Sequence, residues 1–248
     1  MKLTSKLRFK ELLQTNKLVI LFEIILILTP TYLAITLGYR PESDFISLGG
    51  DLVLLGGPLI YLGICITLLL FWAAARLRGA SWKTFGVQRQ TRWIRMILFS
   101  LGLTFLIILA LDFLADILYQ ILPTAEPPGM SRFAALEGNL PNLVLNVIFI
   151  WISAGFIEEL IWRGYLINRL SDVFGKTRLA SVFAILCSSA LFGIAHYYQG
   201  LSGMLLTGAT GLIFSIAFLL GNRNIWPLVI THGLINSLSF SLMYLNGI

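Results

Sequence analysis

The residues best suited to chemistry are two adjacent carboxylates with an arginine behind them, Glu158-Glu159-Leu160-Ile161-Trp162-Arg163, and the chain's 2 histidines, His196 and His232. Neighbours on a helix point about 100° apart, whereas positions i and i+4 lie nearly one above the other. Arg163 is thereby placed to neutralise and orient Glu159. Glu158 is left as the freer group, a candidate base for activating water. Phe192 precedes His196 by one helical turn, and Asn236 follows His232 by one turn, so each pair shares a face. A carboxylate, an imidazole and an imidazole-amide pair are what hydrolysis of an amide requires: one group activates water, and others hold the developing oxyanion. Glu158, His196 and His232 also make up a two-His, one-Glu donor set with an open fourth position. A divalent metal such as Zn²⁺ is therefore an alternative to water activated by glutamate, and the spacing does not decide between them. Taken singly, each group has a plainer reading: a charge cluster snorkelling at a span end, a packed histidine, an asparagine joining helices.

The elements that must position these groups are membrane helices. The chain is 57% hydrophobic and 12% charged, with a mean hydropathy of +0.85, where a soluble domain carries roughly 25% charged residues. With about 20 apolar residues per crossing, 248 residues accommodate about six to eight spans. Apolar runs at about 18–38, 52–75, 96–122, 142–166, 179–198, 201–220 and 225–245 predict an all-α, polytopic bundle of about seven spans, because lipid offers backbone groups no outside partner. Turn and polar residues separate the runs at Arg40-Pro41-Glu42-Ser43-Asp44, from Pro123 to Pro141, from Ser171 to Arg178, and at Gly221-Asn222-Arg223-Asn224. The expected organisation is a basic, cytoplasmic N-terminal tail over 1–17 and a single membrane domain over 18–248. The run after the tail is too long for a signal-peptide core and lacks a small-residue cleavage pattern, so it is expected to stay as the first span.

The net charge of +6 does not point to nucleic acid, since the bases sit in short connectors and not on a basic domain. With the N-terminus cytoplasmic and seven crossings, all of the 18 Lys and Arg except Arg40 and Arg132 fall inside, as the positive-inside rule requires. The connector from Arg76 to Arg95, with Trp82, Phe85 and Trp93 among its bases, suits an orientation signal lying along the anionic inner leaflet. The expected partners are the lipid bilayer and a peptide or membrane-protein substrate, and the expected location is the plasma membrane of a bacterium. Cys65 and Cys187 each lie in an apolar stretch and read as packing residues.

Ionisable groups in hydrocarbon are costly and mark candidate functional positions. Besides the groups above, these are Glu23, Asp112 and Asp116. Glu23 is expected to snorkel toward Lys17. Asp112 and Asp116, one turn apart near the outer end of the third span, are expected to be solvated, the alternative being that they border a cavity. Gly203, Gly208 and Gly211 on the sixth span are expected to allow close helix packing.

Three motifs, Glu158-Glu159-x-x-x-Arg163, Phe192-x-x-x-His196 and His232-x-x-x-Asn236, stand in that order on spans 4, 5 and 7. In this the chain resembles the CAAX-protease and bacteriocin-processing (CPBP, or Abi) family of intramembrane endopeptidases, over about residues 141–240. The resemblance implies that Glu158 polarises the attacking water with help from His196, that His232 and Asn236 stabilise the tetrahedral oxyanion, and that Glu159 and Arg163 shape the site. It implies an endopeptidase acting on a membrane-associated, prenylated or leader peptide, entered from the cytoplasmic side or from lipid, with metal dependence open.

One geometric expectation conflicts with a shared site. At about 1.5 Å per residue from helix ends near 170, 179 and 225, Glu158 lies roughly 18 Å deep, His232 and Asn236 roughly 10 to 16 Å, and His196 roughly 25 Å. Two other classes are compatible with parts of the pattern. A non-proteolytic membrane regulator or bacteriocin-immunity protein needs the fold but not the catalytic groups. An ion-coupled transporter also carries intramembrane charges, but no internal repeat or interrupted helix of that kind is evident.

Overall fold

The computed structural model describes residues 2–38, 45–122, 130–175 and 177–246. Arg40, Lys176 and the turn signals at 41–44 and 123 lie outside them, as do the side chains of Lys2, Lys6 and Arg132. The elements run α1 (Lys2–Thr15), α2 (Lys17–Gly38), β1 (Phe45–Gly49), β2 (Leu52–Leu55), α3 (Pro58–Arg78), α4 (Trp93–Ile121), α5 (Leu140–Phe174), α6 (Arg178–Ala195), α7 (Gly200–Leu220) and α8 (Trp226–Asn246). From α2 to α8, 7 helices are long and apolar enough to cross a membrane, so the chain is a multi-pass helical bundle.

Two boundaries differ from the hydropathy reading. Residues 52–55 form β2, antiparallel to β1, and the second span starts only at Pro58. Glycines at positive φ, Gly49, Gly50 and Gly56, turn the chain there, and Pro58 sits at the first turn of α3, where its missing N–H costs nothing. Two asparagines of α5 satisfy the backbone of β2. Asn142 Oδ1 accepts from Val53 N–H (2.9 Å) and its Nδ2 donates to Asp51 O (2.9 Å); Asn146 Oδ1 accepts from Leu55 N–H (2.7 Å) and its Nδ2 donates to Val53 O (2.9 Å). Hydropathy cannot register that compensation, which is what lets a short apolar strand stay out of a helix. The fourth span is also longer than its apolar run, continuing to Phe174, and over Trp151–Ile167 it winds as a wider π-type helix.

The connectors fall into two groups. At one end lie α1, the end of α3, the 3₁₀ turn Trp82–Phe85, the C-terminal turns of α5 and the link from α7 to α8. Gln14 Nε2 donates to Arg78 O (3.3 Å), Arg169 Nη2 to Leu13 O (2.8 Å), Asn168 Nδ2 to Thr84 O (2.9 Å) and Gln88 Nε2 to Asn222 O (2.9 Å). The expected surface connector is therefore docked at its centre: Phe85 is buried against Phe71 (ring centroids 4.8 Å), while Trp82 and Trp93 are exposed. At the other end lie the β-hairpin, the end of α4, the 3₁₀ segment Met130–Leu136, the turn from α6 to α7, and the end of α8, where Gly138 N–H donates to Tyr244 O (3.0 Å).

Glu23 does not turn toward Lys17. It is buried between Arg78 Nη1 (3.1 Å) and Arg169 Nη2 (3.2 Å) and accepts from the Tyr165 hydroxyl (3.0 Å), joining α2, α3 and α5. A buried carboxylate needs such partners, and two guanidiniums supply them. Cys65 is exposed on α3, so the packing expectation holds only for the partly buried Cys187. Gly208 and Gly211 do allow close packing: a Cβ on Gly211 would lie 3.0 Å from the Phe192 ring, and one on the facing Gly193 only 2.6 Å from Met204 O. Gly203 serves another purpose, lining the cavity described next.

Candidate active site

The first motif lies in the π-type stretch of α5. Glu159 and Arg163 are fully buried and joined by a 2.9 Å ion pair through Nη1 and Oε1. Arg163 also lies over the rings of Phe192 (4.4 Å) and Phe214 (5.0 Å), so the cation is held by one carboxylate and two aromatic faces. The same Glu159 Oε1 accepts from Nδ1 of His232 at 2.8 Å. That bond fixes the imidazole's orientation and turns its Nε2 edge away from Glu159.

The position of His232 follows from its neighbours on α8. Thr231, fully buried, donates to Ser100 O on α4 (3.2 Å), and Ser100 Oγ donates to Pro227 O (3.1 Å). On the other side Gly233 presses on Trp151, where a Cβ would stand 2.6 Å from the indole, and Trp151 Nε1 donates to Ser237 Oγ (3.0 Å). Only glycine permits that approach of α5 and α8, and the approach brings His232 to Glu159.

His196 ends α6. Its Nδ1 stands 2.8 Å from Phe192 O, and its ring packs edge-on against the Phe192 ring at 4.8 Å. A carbonyl oxygen only accepts, so Nδ1 carries the proton and Nε2 is the basic position of the neutral ring. Ser188 Oγ donates to Trp162 O (3.1 Å) and the Tyr32 hydroxyl to Leu191 O (2.5 Å), anchoring α6 to α5 and α2.

These contacts resolve the depth conflict, because the helix ends do not share one level. The bond from Ser188 to Trp162 O aligns the two helices there. Glu158 then lies roughly 6 Å beyond that level and His196 roughly 12 Å, within about one turn of each other. The start of α8 is likewise far from the end of α5. Ile225 N–H donates to Gly86 O (3.1 Å), and Gly164 abuts the carbonyl of Phe85, so residue 225 is level with residue 164. His232 and Glu158 are each roughly 10 Å from that level.

Glu158, His196, His232 and Asn236 all line one cavity of about 970 Å³. Glu159 and Arg163 stand behind its wall. Glu158 Oε2 is shut off from the surface and has no hydrogen-bond partner among the described residues, unlike the carboxylate of Glu23. Trp162, Phe192 and His232 close one end of the cavity, and from there it runs to Gly56, Tyr119, Leu122, Phe133, Gln199, Leu201 and Met243. It therefore extends toward the hairpin end, and no residue of the basic connectors lines it. Asp112 and Asp116 are exposed and outside the lining. Sequence reasoning did not find the supports Tyr32, Ser100, Ser188 and Thr231, since single hydroxyls in apolar helices carry no spacing signal.

A metal finds no ready cage here: among the described residues no three His, Cys, Asp or Glu side chains converge closely enough to hold an ion. Glu158, His196 and His232 share the cavity without forming such a set. What the arrangement offers is a carboxylate oxygen and two imidazoles at one end of a largely apolar space.

Residues 140–238 match the family model for Rce1-like type II CAAX prenyl endopeptidases. No curated protein and no solved structure gives a significant match.

Proposed function

From the match of residues 140–238 to the Rce1-like type II CAAX prenyl endopeptidase family model, we propose that the protein is an intramembrane endopeptidase that hydrolyses a peptide bond of a membrane-associated peptide at Glu158. The observation that carries this reading is the set of four motif side chains, Glu158, His196, His232 and Asn236, lining one cavity. Water enters between Glu158 and His196 Nε2. Glu158 takes a proton as the water oxygen bonds to the scissile carbonyl carbon, which turns the carbonyl oxygen into an oxyanion. The His232 Nε2 edge and the Asn236 amide donate to that oxyanion, with Glu159 balancing an imidazolium at His232 and Arg163 holding Glu159 in place. The carbon–nitrogen bond then breaks, and Glu158 returns its proton to the leaving nitrogen, giving a carboxylic acid and an amine, between which the remaining proton of the water passes to leave a carboxylate and an ammonium. No step is assigned to a metal.

The test is hydrolysis in H₂¹⁸O by protein reconstituted in proteoliposomes, offered farnesylated CAAX peptides and unmodified apolar peptides in parallel. One ¹⁸O atom is expected in the new carboxyl terminus of a cleaved peptide, with product absent for Glu158→Gln and His232→Ala. Equal product from wild type and Glu158→Gln would remove Glu158 from the role given to it.

A further inference from the structure

The cavity has a direction, and the charges of the chain give that direction a side. Its floor is Trp162, Phe192 and His232, with the Glu159–Arg163 pair and Phe214 packed behind. Its far end is built from the β-hairpin, the end of α4, Phe133, the turn from α6 to α7 and the end of α8. The opposite end of the bundle gathers α1, the start of α2, the 76–95 connector, the end of α5, the start of α6 and the link at 221–225, and among the described residues Arg8, Lys10, Lys17, Arg76, Arg78, Lys83, Arg89, Arg92, Arg95, Arg169, Arg178 and Arg223 lie there. Basic connectors are retained on the cytoplasmic side. We infer that the cavity opens at the extracytoplasmic face and that its substrate is a peptide segment arriving from outside the membrane or from the outer leaflet.

This rests on the proteolytic reading and narrows it, because a prenylated tail is presented at the cytoplasmic face and would meet the closed floor. The lining adds to the assignment of substrate. Its carboxylate is Glu158, it holds no Lys or Arg, and apart from His196, His232, Asn236, Gln199 and Met243 the rest is aliphatic, aromatic, hydroxyl or glycine, with Gly200 and Gly203 at the far end. Such a wall suits an uncharged, largely apolar segment in extended form, and it repels an acidic one near the site. A tail anchored only by charge at the inner leaflet has no partner there. An exported or membrane-anchored polypeptide with an apolar stretch near the outer surface does.

The experiment uses the full chain in a Cys65→Ser, Cys187→Ala background, carrying Leu201→Cys at the cavity's far end or Lys83→Cys on the basic connector, both of them exposed positions. Intact cells are treated with a bulky, membrane-impermeant maleimide, and peptide termini in their membranes are then quantified against a Glu158→Gln strain. The expected result is labelling of Leu201→Cys in intact cells, labelling of Lys83→Cys only after permeabilisation, and loss of the Glu158-dependent termini once Leu201→Cys is blocked. The reverse labelling pattern overturns the orientation while leaving proteolysis standing. Labelling of Leu201→Cys from outside without loss of cleavage overturns this end as the entrance. An absence of Glu158-dependent termini in any strain fails the proteolytic reading itself, and the entry assignment falls with it, whatever the labelling pattern.

Discussion

Two buried acidic groups, one near each end of the bundle's interior, have been given opposite surroundings. Glu23 meets Arg78, Arg169 and the Tyr165 hydroxyl, so both of its oxygens are engaged, and it does not line the cavity. Glu158 lines a cavity of about 970 Å³ and has a buried oxygen with no hydrogen-bond partner among the described residues. Its neighbour Glu159 lies between the two: Arg163 and His232 hold its Oε1, while its Oε2 has no hydrogen-bond partner among the described residues and lies behind the cavity wall. A fully partnered buried carboxylate fastens helices, whereas one left unpartnered beside a cavity costs free energy that the fold bears for another purpose. The comparison predicts that changes at Glu158 remove activity and spare the fold, and that changes at Glu23 do the reverse.

The largest effect is expected at Glu158. Glu158→Gln keeps the shape but removes the base, and cleavage should fall by about 10² to 10⁴-fold, with the thermal midpoint in detergent unchanged. A wild-type-like rate would break the comparison on its active side. Next comes Glu23→Leu, which strands two buried guanidiniums and should cost about 3–5 kcal/mol of stability while the rate per folded molecule stays near wild type. If that variant folds normally but is inactive, Glu23 belongs to the site and the contrast is wrong. Asn236→Ala removes one proposed oxyanion donor, with an expected fall of up to about 10² to 10³-fold in kcat. A rise in KM alone would instead make Asn236 a substrate-binding group. Asp112→Asn and Asp116→Asn, at exposed positions outside the cavity, should change stability by no more than about 0.5 kcal/mol and leave the rate alone. Dialysis against a chelator is expected to leave the rate unchanged, and loss restored by Zn²⁺ would replace glutamate-activated water with a metal-bound one.

Much of this was legible in the sequence because the bilayer simplifies the problem. Apolar runs have few alternatives to helices, and all seven spans came out near their expected positions. The second span's start was misplaced because hydropathy cannot distinguish a helical Leu52-Val53-Leu54-Leu55 from a strand whose edge is satisfied by Asn142 and Asn146. The motif side chains were recognisable from type and spacing. Their shared depth was not, since it depends on the docked turn at Trp82–Phe85 and on α5 continuing to Phe174, both tertiary features. Glu23 was misread for the same reason: its partners Arg78 and Arg169 are far away in the chain and adjacent only in the fold.

The central claim is that Glu158 is the working carboxylate of this cavity. The most direct measurement is quantitative sequencing of peptide termini in membranes of cells expressing the wild type, Glu158→Gln or Asp112→Asn at equal levels. The account predicts a set of new termini shared by wild type and Asp112→Asn and missing from Glu158→Gln. The same set in all three strains would contradict it.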